Sequence, residues 1–496
     1  MKTLHNANRL RTFLPLWTDR FSNKQWMSST LMLEFKLFRV LSLRGFAIEN
    51  ELLDTIGNLK HLRYLDLSGT SIENLSDSVC SLYNLQILKL RDCWLLKELP
   101  LNLHKLTNLR YLDFRGTEVR KMPMHVGKLK HLQVLSSFYV GKCSGSNIHQ
   151  IGELNLHGIF SISELQNIVN PSDALAANLK EKVNLMRLEL EWNANSDNSV
   201  KDREVLEKLQ PSKQLKELSV QGYGSTLFPD WFGDYSLSNV VSLKLSNCEN
   251  CVLLPPFGIL PSLKELQIIG LSGIVVIGSE FYGNESSSYP VIPFASLQTL
   301  IFDKMIGWKE WDCKTVRGAF SCLQKLSITK CPNLKECLPE HLPCLMELIV
   351  TNCNKLLDSV PLAPSIERLH LIRCGRLHFD YQPSALRNLK IGGMEGSLLE
   401  WVRQTLSHIS LKSLIIKDCP TMNVPLGFCY NFLVVLNITS SCDSLRTFQL
   451  DFFPKLQHLT FKKCSNLEMI SQEHDNSLIS LNILYPFPWE GPLHLG

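Results

Sequence analysis

The stretch LRYLDLSGT, residues 62–70, decides how this chain folds. Its leucines stand at the first, fourth and sixth positions, Leu62, Leu65 and Leu67, and polar or aromatic residues separate them. The same spacing returns in LQILKLRDC at 85–93, in LRYLDFRGT at 109–117, and from Leu215, Leu263, Leu323 and Leu456. Because the period is short, chain length alone does not set the number of domains.

Twenty such frames can be placed when conservative replacements are admitted, and most are 20 to 26 residues apart. They start near residues 10, 38, 62, 85, 109, 132, 156, 185, 215, 240, 263, 297, 323, 345, 366, 386, 411, 433, 456 and 478. This spacing is the strand signature of leucine-rich repeats. A similar frame at Leu445 would create intervals too short for a full coil, so we expect it on a return segment.

Apolar and polar residues alternate within each frame, which predicts a short strand with leucines inward and the intervening side chains outward. Between frames, apolar residues three to four apart favour short helical or irregular returns. The predicted fold is an α/β leucine-rich-repeat solenoid, a horseshoe with one parallel sheet on its concave face. We expect repeats at 1–155 and, continuous with them, at 156–496, with helical insertions near 172–183 and 200–210 and an exposed loop at 279–290.

Composition is that of a folded protein, with 45% hydrophobic and 20% charged residues in 496. A net charge of +4 without clustered Lys or Arg argues against nucleic acid as a partner. The first thirty residues hold no uninterrupted apolar core of the kind that a secretory signal needs, and no eighteen apolar residues run together. We therefore expect no membrane span and a cytoplasmic location, with the nucleus as the other possibility.

Half of the sixteen cysteines follow the last apolar strand position by three or four residues, where a small buried side chain meets the turning backbone. These are Cys93, Cys248, Cys331, Cys353, Cys374, Cys419, Cys442 and Cys464. Cys248 and Cys251 form a Cys-x-x-Cys pair, but no second pair follows at zinc-site spacing. The sequence therefore predicts structural cysteines and no metal.

Motifs of catalysis and nucleotide binding are missing or incomplete. Residues 278–283 have the glycine spacing of a P-loop, yet Asn284 and Glu285 replace its Lys and hydroxyl residue. No zinc-protease, nucleophile-elbow or dinucleotide-binding motif occurs. We expect a chain that is not an enzyme and binds no cofactor.

The sequence between the frames resembles the leucine-rich-repeat domain of plant intracellular coiled-coil nucleotide-binding disease resistance proteins. The resemblance is sharpest at 203–234, 245–271, 277–283 and in the phrase ending in Trp308-Lys-Glu-Trp311, and it extends to 10–16, 156–168 and 331–345. It implies a sensor of pathogen effectors or guarded host proteins that also restrains the receptor's nucleotide-binding module. No switch motif precedes the first frame, so we expect a fragment or a chain that acts in trans.

Protein partners should contact the outward strand positions, because these side chains have no packing role. The candidate residues are Tyr64, Asp66, Lys89, Arg91, Tyr111, Asp113, Arg115, Glu217, Glu265, Asp303, Glu347, Arg368, Lys390, Lys417, His458 and Lys462. With Arg44, Arg187, Lys244, Lys325, Glu189 and Glu191 included, the charges run from basic to acidic to basic along the chain. Such patches would select different partners, although simply solvated faces are an equal alternative.

Two other classes of protein use such repeats. A ubiquitin-ligase substrate adaptor would need a helical docking domain before the repeats, and an extracellular receptor would need an export signal and a membrane span. Neither is visible in the sequence. A generic interaction scaffold stays open beside the adaptor as the alternative function.

Overall fold

The computed structural model describes residues 9–15, 35–48, 50–193, 199–283, 292–313, 318–335, 338–357, 359–375, 377, 380–393, 410–422, 429–472, 478–484 and 493–495. Most of the predicted loop at 279–290 lies outside these residues, but its first part, Ser279–Tyr282, is a 3-10 helix in which Phe281 and Tyr282 are buried, so the prediction of an exposed loop is wrong there. The chain forms two compact units, Met1–Val240 and Val241–Gly496. The domain boundary at 155/156 and a single curved face across both units stay predictions.

Every one of the twenty frames carries a parallel strand, which confirms the leucine-rich-repeat fold. In the first unit the strands are β1 (Thr12–Phe13), β2 (Val40–Ser42), β3 (Tyr64–Asp66), β4 (Ile87–Lys89), β5 (Tyr111–Asp113), β6 (Val134–Leu135), β7 (Ser137–Tyr139), β8 (Gly158–Ser163), β9 (Leu185–Glu191) and β10 (Glu217–Gln221). Strands β1 to β6 pair in chain order, and so do β7 to β10.

The second unit continues the pattern and adds short strands on the return segments. Its strands are β11 (Ser242–Ser246), β12 (Glu265–Ile269), β13 (Val276–Ile277), β14 (Thr299–Asp303), β15 (Glu310–Trp311), β16 (Lys325–Thr329), β17 (Glu347–Cys353), β18 (Arg368–Cys374), β19 (Asn388–Gly392), β20 (Ser413–Lys417), β21 (Val435–Thr439), β22 (Thr447–Gln449), β23 (His458–Lys462), β24 (Met469–Gln472), β25 (Ser480–Leu484) and β26 (Leu493–Leu495). Strand β13 pairs with β15, and β22, β24 and β26 form a separate sheet. The frame at Leu445 therefore leads into a return strand, as predicted.

The return segments hold two α-helices, α1 (Asn50–Ile56) and α2 (Ser199–Lys208), among the described residues. Short 3-10 helices occupy Asp77–Ser81, Leu103–Lys105, Val126–Lys128, Ser144–Ser146, Ile148–Ile151, Leu165–Asn167, Pro171–Ala177, Leu179–Glu181, Asp230–Phe232, Tyr235–Leu237, Phe257–Ile259, Ser279–Tyr282 and Leu450–Phe452. The insertion predicted at 172–183 is thus two 3-10 helices, because Asn178 adopts a left-handed conformation (φ 51°) between them. No helix of the described chain is long and apolar enough to cross a membrane.

The residue two positions after the last inward side chain of a frame adopts a left-handed conformation in sixteen of the frames. These residues are Gly45, Gly69, Asp92, Gly116, Glu164, Gly222, Asn247, Gly270, Lys304, Lys330, Asn352, Arg373, Gly393, Asp418, Ser440 and Lys463. Most of their amides donate to a backbone carbonyl of the next coil, as from Gly69 to the Arg91 carbonyl at 2.8 Å and from Asn247 to the Ile269 carbonyl at 2.8 Å. The turn therefore ends each strand and joins it to its neighbour.

The side chain after this turn is buried at the corner in most described frames, and where it is Cys, Ser or Thr it hydrogen-bonds to backbone. The Cys93 thiol donates to the Leu67 carbonyl at 3.0 Å, and the Thr70 hydroxyl donates to the same carbonyl at 2.7 Å. Seven of the eight predicted cysteines occupy this corner. Cys442 does not: Ser441 takes the corner, accepts from the Cys419 amide at 3.0 Å and donates to the Thr439 carbonyl at 2.7 Å.

Within the first unit the ladder of parallel strands divides at Ser136, between β6 and β7. This frame reads Leu135-Ser136-Ser137-Phe138, with one residue more than usual between its inward side chains. The Phe114 amide consequently bonds to the Ser136 hydroxyl at 3.1 Å and not to a backbone carbonyl. Strand β6 ends before Ser136, and β7 begins the next set of strands.

The long interval before Leu297 is filled by a buried aromatic cluster. Phe294 stacks on Phe320 with ring centroids 4.9 Å apart, and Phe281 lies 4.8 Å from Phe294. Trp311, 1% exposed, contacts Phe320 at 6.0 Å. The aromatic residues of the phrases at 277–283 and 308–311 thus have a packing role, since they complete the core of an enlarged coil.

Two glycines of the post-strand turn test its geometry. A Cβ on Gly222 (φ 68°) would lie 2.2 Å from the Trp192 carbonyl oxygen, whereas a Cβ on Gly69 (φ 69°) would come no closer than 3.9 Å to any atom. Gly69→Ala should lower the free energy of unfolding by about 1 kcal/mol, because alanine is strained in the left-handed conformation. Gly222→Ala should lower it by at least about 1 kcal/mol more, because its Cβ would also collide with the Trp192 carbonyl oxygen. Urea unfolding followed by circular dichroism measures both, and equal losses would contradict the close approach.

Candidate functional site

Fourteen of the sixteen candidate residues lie on strands of the described chain, and Arg91 and Arg115 follow the ends of β4 and β5 by two residues. In the first unit, Ser42, Asp66, Lys89 and Asp113 stand in register on neighbouring strands β2 to β5. The row beside it contains Tyr64, Ile87 and Tyr111. Aligned frames therefore bring side chains that are 23 or more residues apart in sequence to adjacent positions on one face.

A groove of about 1050 Å³ lies over these strands. Lys89 lines it, with its ammonium 5.3 Å from the Tyr64 ring centroid and 5.7 Å from that of Tyr111. Arg44 is exposed and forms no ion pair within the described chain. Trp94, 62% exposed, lines the same groove. The sequence did not single out Trp94, because it lies beyond the turn and outside the frame.

Two of the three acids that line this groove, Asp66 and Asp113, are buried and already hydrogen-bonded. Asp66 is 7% exposed and accepts from the Ser68 amide at 2.9 Å and the Tyr64 hydroxyl at 3.2 Å. Asp113 is 3% exposed and accepts two bonds from the Arg115 guanidinium, at 2.9 and 2.6 Å. Their negative charge is therefore largely satisfied inside the protein, and the solvent side of the groove is more basic than the residue count indicates.

Charges in the groove shift the pKa values of two groups. Burial opposes ionisation of Asp113, but hydrogen bonds from Arg115 and its charge outweigh burial and hold the pKa of this carboxyl below its usual value. Burial likewise disfavours the charged form of Lys89, yet the hydrogen bond with Tyr64 and the charge of Asp66 raise the pKa of its ammonium. Both groups are therefore charged at neutral pH.

The acidic middle of the predicted face is largely paired within the protein. In the first unit, Arg187 contacts Glu189 at 2.7 Å and Glu217 at 3.4 Å. The Ser163 hydroxyl donates to Glu191 at 2.8 Å. A count of charges along the sequence therefore overstates how acidic this surface is.

The same holds in the second unit, where Glu347 lies between two cations. Its carboxylate is 3.0 Å from Lys325 and 3.5 Å from Arg368 on the flanking strands. Burial opposes its charge, but these cations lower the pKa of the Glu347 carboxyl. Asp303 accepts from the Thr329 hydroxyl at 2.6 Å, and Glu265 accepts from Gln267 at 2.6 Å.

Three lysines give the last part of the face its charge. Lys390, Lys417 and Lys462 lie on β19, β20 and β23, and none forms an ion pair with a described residue. His458 is exposed on β23 and shares a 2.8 Å hydrogen bond with Ser480. Arg368, counted with this basic group in the sequence, is instead part of the Glu347 ion pairs. The basic patch thus consists of the three lysines.

No described cluster of three or more His, Cys, Asp and Glu side chains could hold a metal ion. Cys248 and Cys251 are both fully buried. Burial raises the pKa of the Cys251 thiol, which keeps it protonated and unreactive.

Comparison with known proteins agrees with this architecture. Residues 148–271 match the family model described as R13L1/DRL21 LRRs. The chain is a leucine-rich-repeat protein.

Its relatives are plant disease resistance proteins. The disease resistance RPP13-like protein 1 of Arabidopsis thaliana is 39% identical over 97% of this chain and 42% of its own length. Disease resistance protein RGA1 of Solanum bulbocastanum is 37% identical over 62% of this chain and 30% of its own length. The resemblance to the repeat domain of such receptors is thereby confirmed, and the chain spans less than half the length of these relatives.

Among solved structures, a leucine-rich-repeat protein of Leptospira interrogans aligns with 78% of this chain and 92% of its own, at 17% identity and a TM-score of 0.42. A score of this size supports no conclusion about function.

Asp113→Asn tests the buried carboxylate and its pH dependence. The lowered pKa of Asp113 stabilises the fold above the ordinary Asp pKa, about 4, and that stabilisation is lost as pH falls through the folded value. The variant should therefore lose about 1–2 kcal/mol at pH 7, and the difference from the natural chain should shrink on acidification below about pH 4. Unfolding titrations across pH measure this loss.

Asp92→Asn is the matched control. The Asp92 carboxylate pairs with Arg91 at 3.5 Å, but both side chains are more than half exposed, at 64% and 58%. Its replacement should change stability by less than about 0.5 kcal/mol. A loss for Asp113→Asn that did not depend on pH would contradict the ionic account.

Proposed function

We propose that this chain is the non-catalytic protein-recognition region of a plant immune receptor, which senses pathogen effectors or guarded host proteins and restrains the receptor until it does. The observation that carries the proposal is 39% identity over 97% of the chain to a disease resistance protein. The relatives' names support the biological role, and the repeat architecture supports binding over catalysis.

The surface suits recognition because its side chains are held in fixed rows. Ion pairs such as Lys325–Glu347 and Arg187–Glu217 orient long side chains across neighbouring strands. Rigid, pre-oriented side chains lose less entropy when a partner binds. The unpaired lysines of the second unit, Lys390, Lys417 and Lys462, then provide charge that a partner can neutralise.

The partners that fit this role are the nucleotide-binding module of the receptor and a pathogen effector or guarded host protein. We assign ATP/ADP switching to that module and no cofactor to this chain. The proposed location is the cytoplasm, and the nucleus is compatible with the same role. No contact with nucleic acid is part of the proposal.

The charge-reversal pair Lys417→Glu with Lys462→Glu tests the recognition surface. The full chain is co-purified with the coiled-coil and nucleotide-binding segment of such a receptor over a range of salt concentrations. Because two unpaired cations become anions, the apparent affinity should fall at least tenfold and its salt dependence should weaken.

Lys264→Glu with Lys335→Glu is the control pair. Both residues are exposed and lie outside the outward strand rows, so they change net charge by the same amount without altering the face. The control should bind like the natural chain. Unchanged binding and salt dependence in the first pair would show that the lysine patch has no role.

A further inference from the structure

Two cavities adjoin on the first unit and share a wall formed by Tyr111, Asp113 and Arg115. The larger is the groove of about 1050 Å³ that contains Arg44 and Lys89. The smaller, about 230 Å³, is lined by Val134, Ser136 and Ile159 among others. We call the two together the joined groove. A ligand that fills both must combine two kinds of chemistry.

The larger cavity lacks anions for two of its cations. Asp113 is paired with Arg115, Asp92 lies 3.5 Å from Arg91, and Asp66 is bonded to Ser68 and Tyr64. Arg44 and Lys89 have no carboxylate of their own at ion-pair distance within the described chain. Carboxylates of a ligand would supply those missing counter-ions. The rings of Tyr64 and Tyr111 on either side of Lys89 restrict where its ammonium can point.

The smaller cavity owes its apolar wall to the interruption of the sheet at Ser136. Because β6 stops at Leu135, the pairing does not continue directly from β6 into β7, and the outward side chain of Ile159 on β8 stays 42% exposed. Gly158 (φ 76°) precedes it, and a Cβ there would meet nothing within 4 Å. Val134 and Ile159 therefore face an open space of the size of one large apolar side chain.

Strand spacing fixes how these features are arranged along the joined groove. Neighbouring strands are about 4.8 Å apart, and successive residues along a strand are about 3.3 Å apart. Arg44 after β2, Lys89 on β4 and Val134 on β6 are each two strands apart and each shifted by two register positions, so successive features are separated by about 12 Å along a diagonal across the sheet. An extended peptide advances about 3.3 Å per residue. Successive features are thus about three to four residues apart for a peptide that crosses the strands diagonally.

We propose that the joined groove binds an extended acidic segment of a partner protein, with two carboxylates about three to four residues apart on Arg44 and Lys89 and an apolar side chain about three to four residues further on, between Val134 and Ile159. This rests on the proposed function, since it names the chemistry of one partner segment. The ligand is a peptide: the two cations define a diagonal line across the parallel strands, and Val134 of the apolar pocket continues that line.

The test is selection from a displayed library of random dodecapeptides on the full chain. The enriched peptides should carry two acidic residues followed or preceded at the stated spacing by Leu, Ile, Phe or Met. A synthetic peptide of the enriched sequence, labelled with fluorescein, is then titrated by fluorescence anisotropy.

Three variants locate the binding site. Arg44→Glu with Lys89→Glu should weaken the labelled peptide at least tenfold and flatten its salt dependence, and Ile159→Asp should weaken it with the salt dependence preserved. Lys180→Glu, at an exposed lysine of the 3-10 helix Leu179–Glu181, should bind like the natural chain. Circular dichroism and urea unfolding establish that each variant is folded.

The outcomes separate this proposal from the broader function. Enriched peptides without acidic bias, or binding that survives Arg44→Glu with Lys89→Glu in a folded protein, would overturn the joined groove as an acidic-peptide site. If peptide binding is lost instead in Lys417→Glu with Lys462→Glu, the proposed protein-recognition function stands and only the placement of the peptide site in the joined groove is wrong. Failure to enrich any peptide would overturn the proposal that the joined groove binds an acidic peptide. The proposed function would still be tested independently by co-purification with the receptor segment.

Discussion

The rest of the structure depends on the left-handed turn that closes each strand. Within this turn an amide donates to the following coil, and the next side chain is buried against backbone, as with Cys93 and the Leu67 carbonyl. Each coil is thereby held by its neighbours, because a single repeat cannot bury its own inward leucines. The turn also fixes the register that aligns outward side chains from one strand to the next.

That register generates the candidate site. Asp66, Lys89 and Asp113 are neighbours only because their frames are superimposed, and the same alignment places Glu347 between Lys325 and Arg368. Where the frame is altered, as at Ser136, the ladder is interrupted and an apolar pocket opens beside the basic groove. The regular repeat therefore provides the scaffold, and one irregular repeat provides its most distinctive cavity.

The regular spacing of apolar residues made the fold predictable, because each frame indicates which side chains point inward and where the strand lies. The corner cysteines followed from the same spacing, although Cys442 lies one residue beyond the corner, which Ser441 occupies three residues after Ile438. The charge pattern of the outward face was harder to predict than the fold. Counting charges along the chain treated Glu189, Glu217 and Glu347 as unpaired acids. Their cationic partners lie on the same or adjacent strands and could have been found by aligning the frames. Trp94 and the burial of Asp66 and Asp113 depend on side-chain geometry that the spacing does not specify.

Cysteine accessibility tests the central claim most directly, because the register predicts which thiols are sealed in the corners. The native chain is treated with iodoacetamide, and labelling is followed residue by residue by mass spectrometry. The structure predicts fast labelling of the exposed Cys143, Cys322, Cys344 and Cys429 and protection of the buried Cys93, Cys248, Cys331, Cys353, Cys374, Cys419 and Cys464 until the chain is unfolded. Labelling of those corner cysteines in the folded chain at the rate of the exposed ones would contradict the register and the surface built on it.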